Sequence, residues 1–316
     1  MLTVFTKVMT IFVMIGAGYL ANKVKILPDQ STPYLTSLLI NISTPCLVIS
    51  SMTAMSLTRE TLTETLEVLV VNAACMLITG AVSWVVIKLL RYEPKEDRGI
   101  LMAVMTSINT GFLGFPVAKA IFGTEIFFLF VIQNINLNIY MYSLQVLQMN
   151  YGRKGGVHPK QILRAMATMP MFATILGCVL LFAGIKLPGP VSSFVGTMGD
   201  MTIPLSMVLV GVLLGKSPLL TIVRNYKLVI VCLTAEILMP FLTFFLVNWL
   251  PITPEAKLTC IYAEAFPCAV LTAAVAEQQH LNGHLASEGV ALSTLISLGT
   301  LPVVSMILMH LYGGLI

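Results

Sequence analysis

The sequence predicts an all-α polytopic membrane protein, with ten transmembrane helices forming two inverted five-helix repeats. Three observations predict it. Of the 316 residues, 57% are hydrophobic and only 10% charged, with a mean hydropathy of +0.92. A soluble domain carries about a quarter charged residues. A bilayer core of about 30 Å takes roughly 20 apolar residues per helix, so a chain of this length with short connectors supplies about ten crossings. Short motifs also recur in the same order in the two halves of the chain, the mark of an internal duplication.

Apolar runs bounded by charge, proline or glycine clusters place the spans at 2–22, 33–54, 66–90, 98–119, 126–149, 161–184, 190–214, 228–249, 257–276 and 287–312. Span 1 is apolar from its start, with Lys7 its only early cation, and reads as an uncleaved helix rather than a signal peptide. The longest polar connector, 150–160 (NYGRKGGVHPK), lies at the midpoint and divides a first repeat, 1–149, from a second, 161–316. Lys and Arg set the orientation. One side collects Lys23, Lys25, Lys88, Arg91, Lys95, Arg98, Arg153, Lys154, Lys160, Arg164, Lys216, Arg224 and Lys227, against Lys7, Arg59, Lys119, Lys186 and Lys257 on the other. The richer side is cytoplasmic, which puts both termini outside a multi-pass cytoplasmic membrane protein. An odd number of spans per half then inverts the second half relative to the first.

The repeat itself is carried by three pairs of motifs. Span 1 ends in Ile26-Leu27-Pro28 and span 6 in Lys186-Leu187-Pro188, an offset of 160. Asn41 and Pro45 in span 2 match Asp200 and Pro204 in span 7, an offset of 159, with the polar residue four before the proline both times. Phe115 to Ala118 (FPVA) in span 4 is paired with Phe266 to Ala269 (FPCA) in span 9.

Proline inside a membrane helix removes a backbone hydrogen bond and frees polar groups that lipid cannot satisfy. Pro45, Pro116, Pro204 and Pro267 therefore point to a site built on interrupted helices, against the plainer reading of simple kinks. In span 4, Asn109 and Thr110 adjoin Gly111 and Gly114. In span 9, Glu264 precedes Pro267 by three residues. Half-helix N-termini there would present partial positive charge to an anion. In span 5, Gln133, Asn134, Asn136, Asn138 and Tyr142 punctuate an apolar run. Asn134, Asn138 and Tyr142 share one face, either lining a substrate path or gluing helices together. The interior acids are Asp200, Glu236 and Glu264, each costly in hydrocarbon. Asp200 and Glu264 adjoin helix breaks and are candidates to bind Na⁺ or carry a proton. Glu236, four before Pro240, has no counterpart and reads as a protonated structural acid, while Glu67 and Glu277 read as solvated span ends.

Other classes are excluded more easily. The six cysteines fall in apolar stretches without metal-ligand spacing, so neither a disulfide framework nor a bound metal is expected. The +4 charge is spread over connectors, which argues against nucleic acid. There is no HExxH or GxSxG motif, the four histidines lie outside span interiors, and an aspartyl protease would need a second interior aspartate. Neither an enzyme nor a cofactor is expected.

The residues NISTPCL in span 2, NTGFLGFP in span 4, the Gln133-Asn134 pair in span 5 and GDMTIPLSMVLVG in span 7 resemble the auxin efflux carrier family, and the likeness runs diffusely through the whole chain. The resemblance implies a scaffold domain of spans 1, 2, 6 and 7 and a transport domain of spans 3–5 and 8–10. Broken helices 4 and 9 would cross at the midplane. It places Asn109 at the crossover and Gln133, Asn134 and Asn138 on a substrate-contacting surface. A tyrosine of the family pattern is replaced by Asn138, which favours a small substrate over an aromatic one. Asn109 and Glu264 are also similar to the sodium-site residues of the distantly related bile acid:sodium symporters, which leaves Na⁺ or H⁺ open as the coupling ion.

The expected function is therefore secondary active transport of a small organic anion, malonate- or malate-like, by an elevator-type mechanism. Substrate would be bound by Asn41, Asn109, Thr110, Gln133, Asn134, Asn138, Pro116 and Pro267, with Asp200, Glu264 and Asn109 coupling an ion. The rivals are an uncoupled facilitator, a carrier of a cationic or neutral solute, and a membrane receptor or scaffold. Lipid is the surrounding partner, and a homodimer is left open.

Overall fold

A computed structural model of the chain describes residues 2–151, 168–217 and 219–312. The larger part of the 150–160 connector, with the cations Arg153, Lys154, Lys160 and Arg164, lies outside them, as does the start of the expected span 6. The described helices run α1 (Leu2–Lys23), α2 (Ser31–Leu38), α3 (Thr44–Ala54), α4 (Arg59–Leu90), α5 (Arg98–Thr106), α6 (Phe115–Phe122), α7 (Thr124–Tyr142) and α8 (Leu144–Met149). They continue with α9 (Met169–Phe182), α10 (Gly189–Asp200), α11 (Thr202–Lys216), α12 (Tyr226–Leu233), α13 (Met239–Asn248), α14 (Pro254–Glu264), α15 (Leu271–Gln278) and α16 (Gly283–Tyr312).

Six stretches among the described residues are long and apolar enough to cross a membrane: Ser31–Ala54, Arg59–Leu90, Thr124–Met149, Gly189–Lys216, Tyr226–Asn248 and Gly283–Tyr312. The protein is thus a polytopic helical membrane protein. Part of the gap between six and ten has a physical cause. The expected spans 4 and 9 are each split into two short helices, α5 with α6 and α14 with α15, none long enough to cross alone.

Prolines explain another local feature. Turns of π type at Leu39–Ser43, Thr110–Gly114 and Thr234–Leu238 each end two residues before a proline, at Pro45, Pro116 and Pro240. A proline ring gives no N–H to the carbonyl four residues back and clashes with it. Widening the turn to five residues relieves the clash, and Thr44 N donates to Leu39 O and Met239 N to Thr234 O.

The chain divides into two compact units. Unit 1 comprises Met1–Leu66, Gly111–Ile132 and Ala167–Lys216, and unit 2 comprises Glu67–Thr110, Gln133–Met166 and Ser217–Ile316. In unit 1, α1 packs along α11 at backbone distance, because a Cβ at Gly18 would stand 2.1 Å from Val208 O and one at Gly211 2.0 Å from Ile15 O. Helix α3 packs on α9 and α10, and the side chains of Ser43 and Thr202 share a hydrogen bond. Those two positions are 159 residues apart, the offset of the Asn41/Asp200 motif. Unit 2 has a core that includes Ile100, Leu101, Val231, Met239, Leu285 and Leu292. There α5 packs on α8, α13 on α14 and α15 on α16.

Candidate functional site

Within unit 2 the two interruptions meet. Ser107, Ile108 and Asn109 leave α5 in extended conformation and run antiparallel to Pro267, Cys268 and Ala269 beyond α14. Asn109 N donates to Pro267 O, and Ala269 N to Ser107 O, both at 2.8 Å. Polar side chains complete the joint. Cys268 N donates to Ser293 Oγ of α16 at 3.0 Å, and Thr272 Oγ1 of α15 donates to Ser107 Oγ. Backbone groups released from two helices are thereby paired with each other, which is how irregular backbone persists inside a membrane protein.

The two FP motifs are not equivalent in conformation, which corrects the pairing of FPVA with FPCA. Pro116 lies in the first turn of α6, directly after the Thr110–Gly114 turn whose widening accommodates its ring. Pro267 lies in the extended strand and uses its carbonyl as the acceptor for Asn109. The cause is the Thr110–Gly114 turn, which inserts a coil of helix between the crossover and Pro116.

Glu264 is the last residue of α14 and sits beside this joint. Its side chain is buried, and Oε1 has no hydrogen-bond partner. Cys75 of α4, Tyr140 of α7 and Cys260 of its own helix lie within its electrostatic reach. Asn109 and Thr110 are both buried, and Thr110 Oγ1 donates to Gln133 Oε1 at 3.2 Å while Gln133 Nε2 is left without a partner. The structure therefore brings Asn109, Thr110, Gln133 and Pro267 into unit 2 with Glu264.

The remaining sequence candidates are placed differently. Asn134 and Asn138 are half-buried, and Asn138 Nδ2 donates to Asn134 O one turn back on α7. Asn136 holds α7 to α4 through Leu69 O at 2.9 Å and Asn72 Oδ1 at 3.4 Å, so it is interhelical glue. Asn41 and Pro116 belong to unit 1, where Asn41 is exposed and bonds Ser37 Oγ. Asp200, expected as an interior acid without a fixed cation, ends α10 with its side chain 72% exposed and pairs with Lys119 Nζ at 3.1 Å, all within unit 1. The apolar run around it conceals a helix end, and Lys119 of α6 supplies the charge. Glu67 likewise differs from a solvated span end: it is half-buried, and Oε2 accepts from Thr253 N at 2.9 Å and Thr253 Oγ1 at 2.6 Å.

Sequence reasoning missed a third polar group in unit 2. Gln148 Oε1 accepts from Tyr140 OH at 3.1 Å and Thr106 Oγ1 at 3.3 Å, and Nε2 donates to Gly80 O. Neighbouring Gln145 donates to Ala103 O but leaves Oε1 unpartnered. The signal was the spacing of Gln145 and Gln148, three residues apart on one helical face.

Interrupted apolar helices whose breaks pair with each other, next to a buried carboxyl with an unused oxygen, define a polytopic membrane protein with a polar interior built for a solute or ion. The chain belongs to the membrane transport protein family, the family of the auxin efflux carriers, whose profile matches residues 3–163 and 156–305. Its relatives include an uncharacterized transporter of Methanothermobacter thermautotrophicus, 26% identical over 95% of this chain and 97% of the relative. Another, from Methanocaldococcus jannaschii, is 25% identical over 92% of this chain and 94% of the relative. The protein is therefore a multi-pass membrane transporter by family.

Proposed function

We propose that this transporter is a secondary active carrier of a small organic anion, malonate- or malate-like, with ten spans in two inverted repeats and both termini outside the cytoplasmic membrane. The observation that carries the reading is the paired crossover of Ser107–Asn109 with Pro267–Ala269 inside unit 2, flanked by the Glu264 carboxyl, whose Oε1 has no partner. The repeat reading is supported by Ser43 and Thr202, which occupy matched positions of two motifs and bond to each other, as residues near a two-fold axis do. Unit 2 is taken as the body that moves with substrate in an elevator-type cycle, and unit 1 as the scaffold.

In this reading a substrate carboxylate is held by the Asn109, Thr110 and Gln133 side chains, with the N-terminus of α15 adding partial positive charge. Glu264 is the ion-responsive group, neutralised by H⁺ or Na⁺ as substrate binds. Asp200, already paired with Lys119, serves the integrity of unit 1 rather than coupling.

The test is uptake of radiolabelled malonate, malate and lactate into proteoliposomes under separately imposed Na⁺ and proton gradients. Gradient-driven accumulation of one acid is expected, lost in Glu264→Gln and kept in Asp200→Asn. Flux that ignores both gradients would identify a facilitator, and no flux of any acid would remove the organic-anion reading.

A further inference from the structure

Glu236 lies in the Thr234–Leu238 turn of unit 2, between α12 and α13, with its side chain wholly buried. Pro240 cannot give an N–H to the carbonyl four residues back, which is that of Glu236 itself. The widened turn therefore gathers acceptors at one point, as π-type turns at functional positions do. The carboxyl is only half used. Oε2 accepts from Thr300 Oγ1 of α16 at 2.9 Å, whereas Oε1 has no partner. Seven residues further on, the wholly buried hydroxyl of Thr243 has none either.

Among the described residues, no cation compensates the acid from the elements packed around it. Lys227 at the start of α12 lies over the Tyr92 ring and donates to Arg91 O. Arg98 of α5 pairs with Glu93 and Tyr92 O. Helix α13 carries no charged residue. In α16, His284 pairs with Glu288, and His310 stands about 15 Å along the helix beyond Thr300. Among the described residues, the titratable groups within electrostatic reach of the carboxyl are the thiols of Cys232 on its own span and Cys268 of the crossover. A carboxylate here would be desolvated without a counter-charge, whereas the neutral acid removes the charge altogether. A metal cation would need a shell of several oxygens, and among the described residues Thr300 is the hydroxyl that reaches the carboxyl.

We propose that Glu236 is a proton-binding site of unit 2, distinct from Glu264, whose carboxyl holds a proton at neutral pH and exchanges it with water. Release gives H⁺ to water and leaves the carboxylate, and uptake reverses this. On the carrier reading this is a second proton site of unit 2 beside the ion-responsive Glu264, and the measurement that follows stands whether or not that reading does.

The test is infrared difference spectroscopy of the full-length protein in liposomes at pH 7, wild type minus Glu236→Gln. A protonated-carboxyl stretch that is lost in the variant, and that shifts when H2O is replaced by D2O, is the expected result. Thr300→Val removes the donor to Oε2 and is expected to move that band without abolishing it. This keeps the assignment testable should Glu236→Gln fail to fold on size-exclusion chromatography. Absence of the band would mean an ionised acid and overturn the proposal. A band that never shifts in D2O would mean a sealed structural acid, and a band abolished when NaCl replaces KCl would mean a sodium site. Either would also overturn it.

Discussion

Units 1 and 2 share an apolar composition but treat buried polar atoms in opposite ways. The buried side-chain atoms that lack a partner among the described residues are Asn72 Nδ2, Gln133 Nε2, Gln145 Oε1, Glu236 Oε1, Thr243 Oγ1 and Glu264 Oε1, and every one belongs to unit 2. Unit 1 pairs its buried polar groups: Ser43 with Thr202, Thr174 with Pro170 O, and Asn22 with Leu27 O and Asp29. An unpaired buried polar atom costs about 1–3 kcal/mol, so a region that keeps several holds capacity for a ligand, an ion or water. Unit 1 instead relies on close helix contact at Gly18 and Gly211. On the proposed reading, one region supplies rigidity and the other recognition.

The sharpest way to break that comparison is to wedge unit 1 apart. Gly18→Leu drives its side chain into the Val208 backbone, and the expected loss is about 3 kcal/mol or more, read as a fall in the thermal midpoint of detergent-solubilised protein. Gly16→Ala is the control, because nothing lies within 4 Å of a Cβ there, and it should leave the midpoint level or raise it. Equal losses in both would show that general helix propensity, and not close contact, sets the stability of unit 1.

Next in size is Glu264→Gln in unit 2, where the signs reverse. Gradient-driven uptake is expected to fall at least about tenfold, equivalent to roughly 1.4 kcal/mol. The thermal midpoint should hold or rise, since a neutral isostere no longer buries an uncompensated charge. A variant that loses stability in step with uptake would make Glu264 a structural residue.

How much of this was legible beforehand depends on the kind of interaction. The breaks in spans 4 and 9, the burial of Asn109, Thr110 and Gln133, and Glu264 beside Pro267 all follow from local signals: Gly and Pro punctuation, and polar residues in apolar runs. The pairing of Asp200 with Lys119 was not legible, because the two are 81 residues apart and one chain without its fold gives no means of matching them. Glu67 was misjudged for the same reason, its partner Thr253 being 186 residues away. The FPVA/FPCA pairing failed differently. A shared Phe-Pro hid a helical turn inserted before Pro116 but absent before Pro267, and conformation, not composition, decides which prolines correspond.

A smaller effect separates glue from recognition along a single helix. Asn136→Leu removes the tie from α7 to Leu69 O and Asn72 and should cost about 0.6 kcal/mol, in keeping with interhelical hydrogen bonds in membranes, with KM for the transported acid unchanged. Gln133→Leu removes a side chain whose Nε2 is already unpartnered, so stability should change little while KM rises. If the two variants behave alike in both readouts, the polar residues of α7 form one structural set and the division between them fails.

The smallest effect is expected at the ion pair of unit 1. Lys119 is 22% exposed and Asp200 72%, so the pair is not buried in the protein, and a double-mutant cycle of Lys119→Met with Asp200→Asn should give a coupling of about 0–1 kcal/mol. Uptake should survive in all three variants, because the pair ties α6 to the end of α10 within unit 1. Loss of ion coupling in Asp200→Asn with normal coupling in Lys119→Met would return Asp200 to the transport chemistry. Recognition would then extend into the unit whose buried polar groups are otherwise paired.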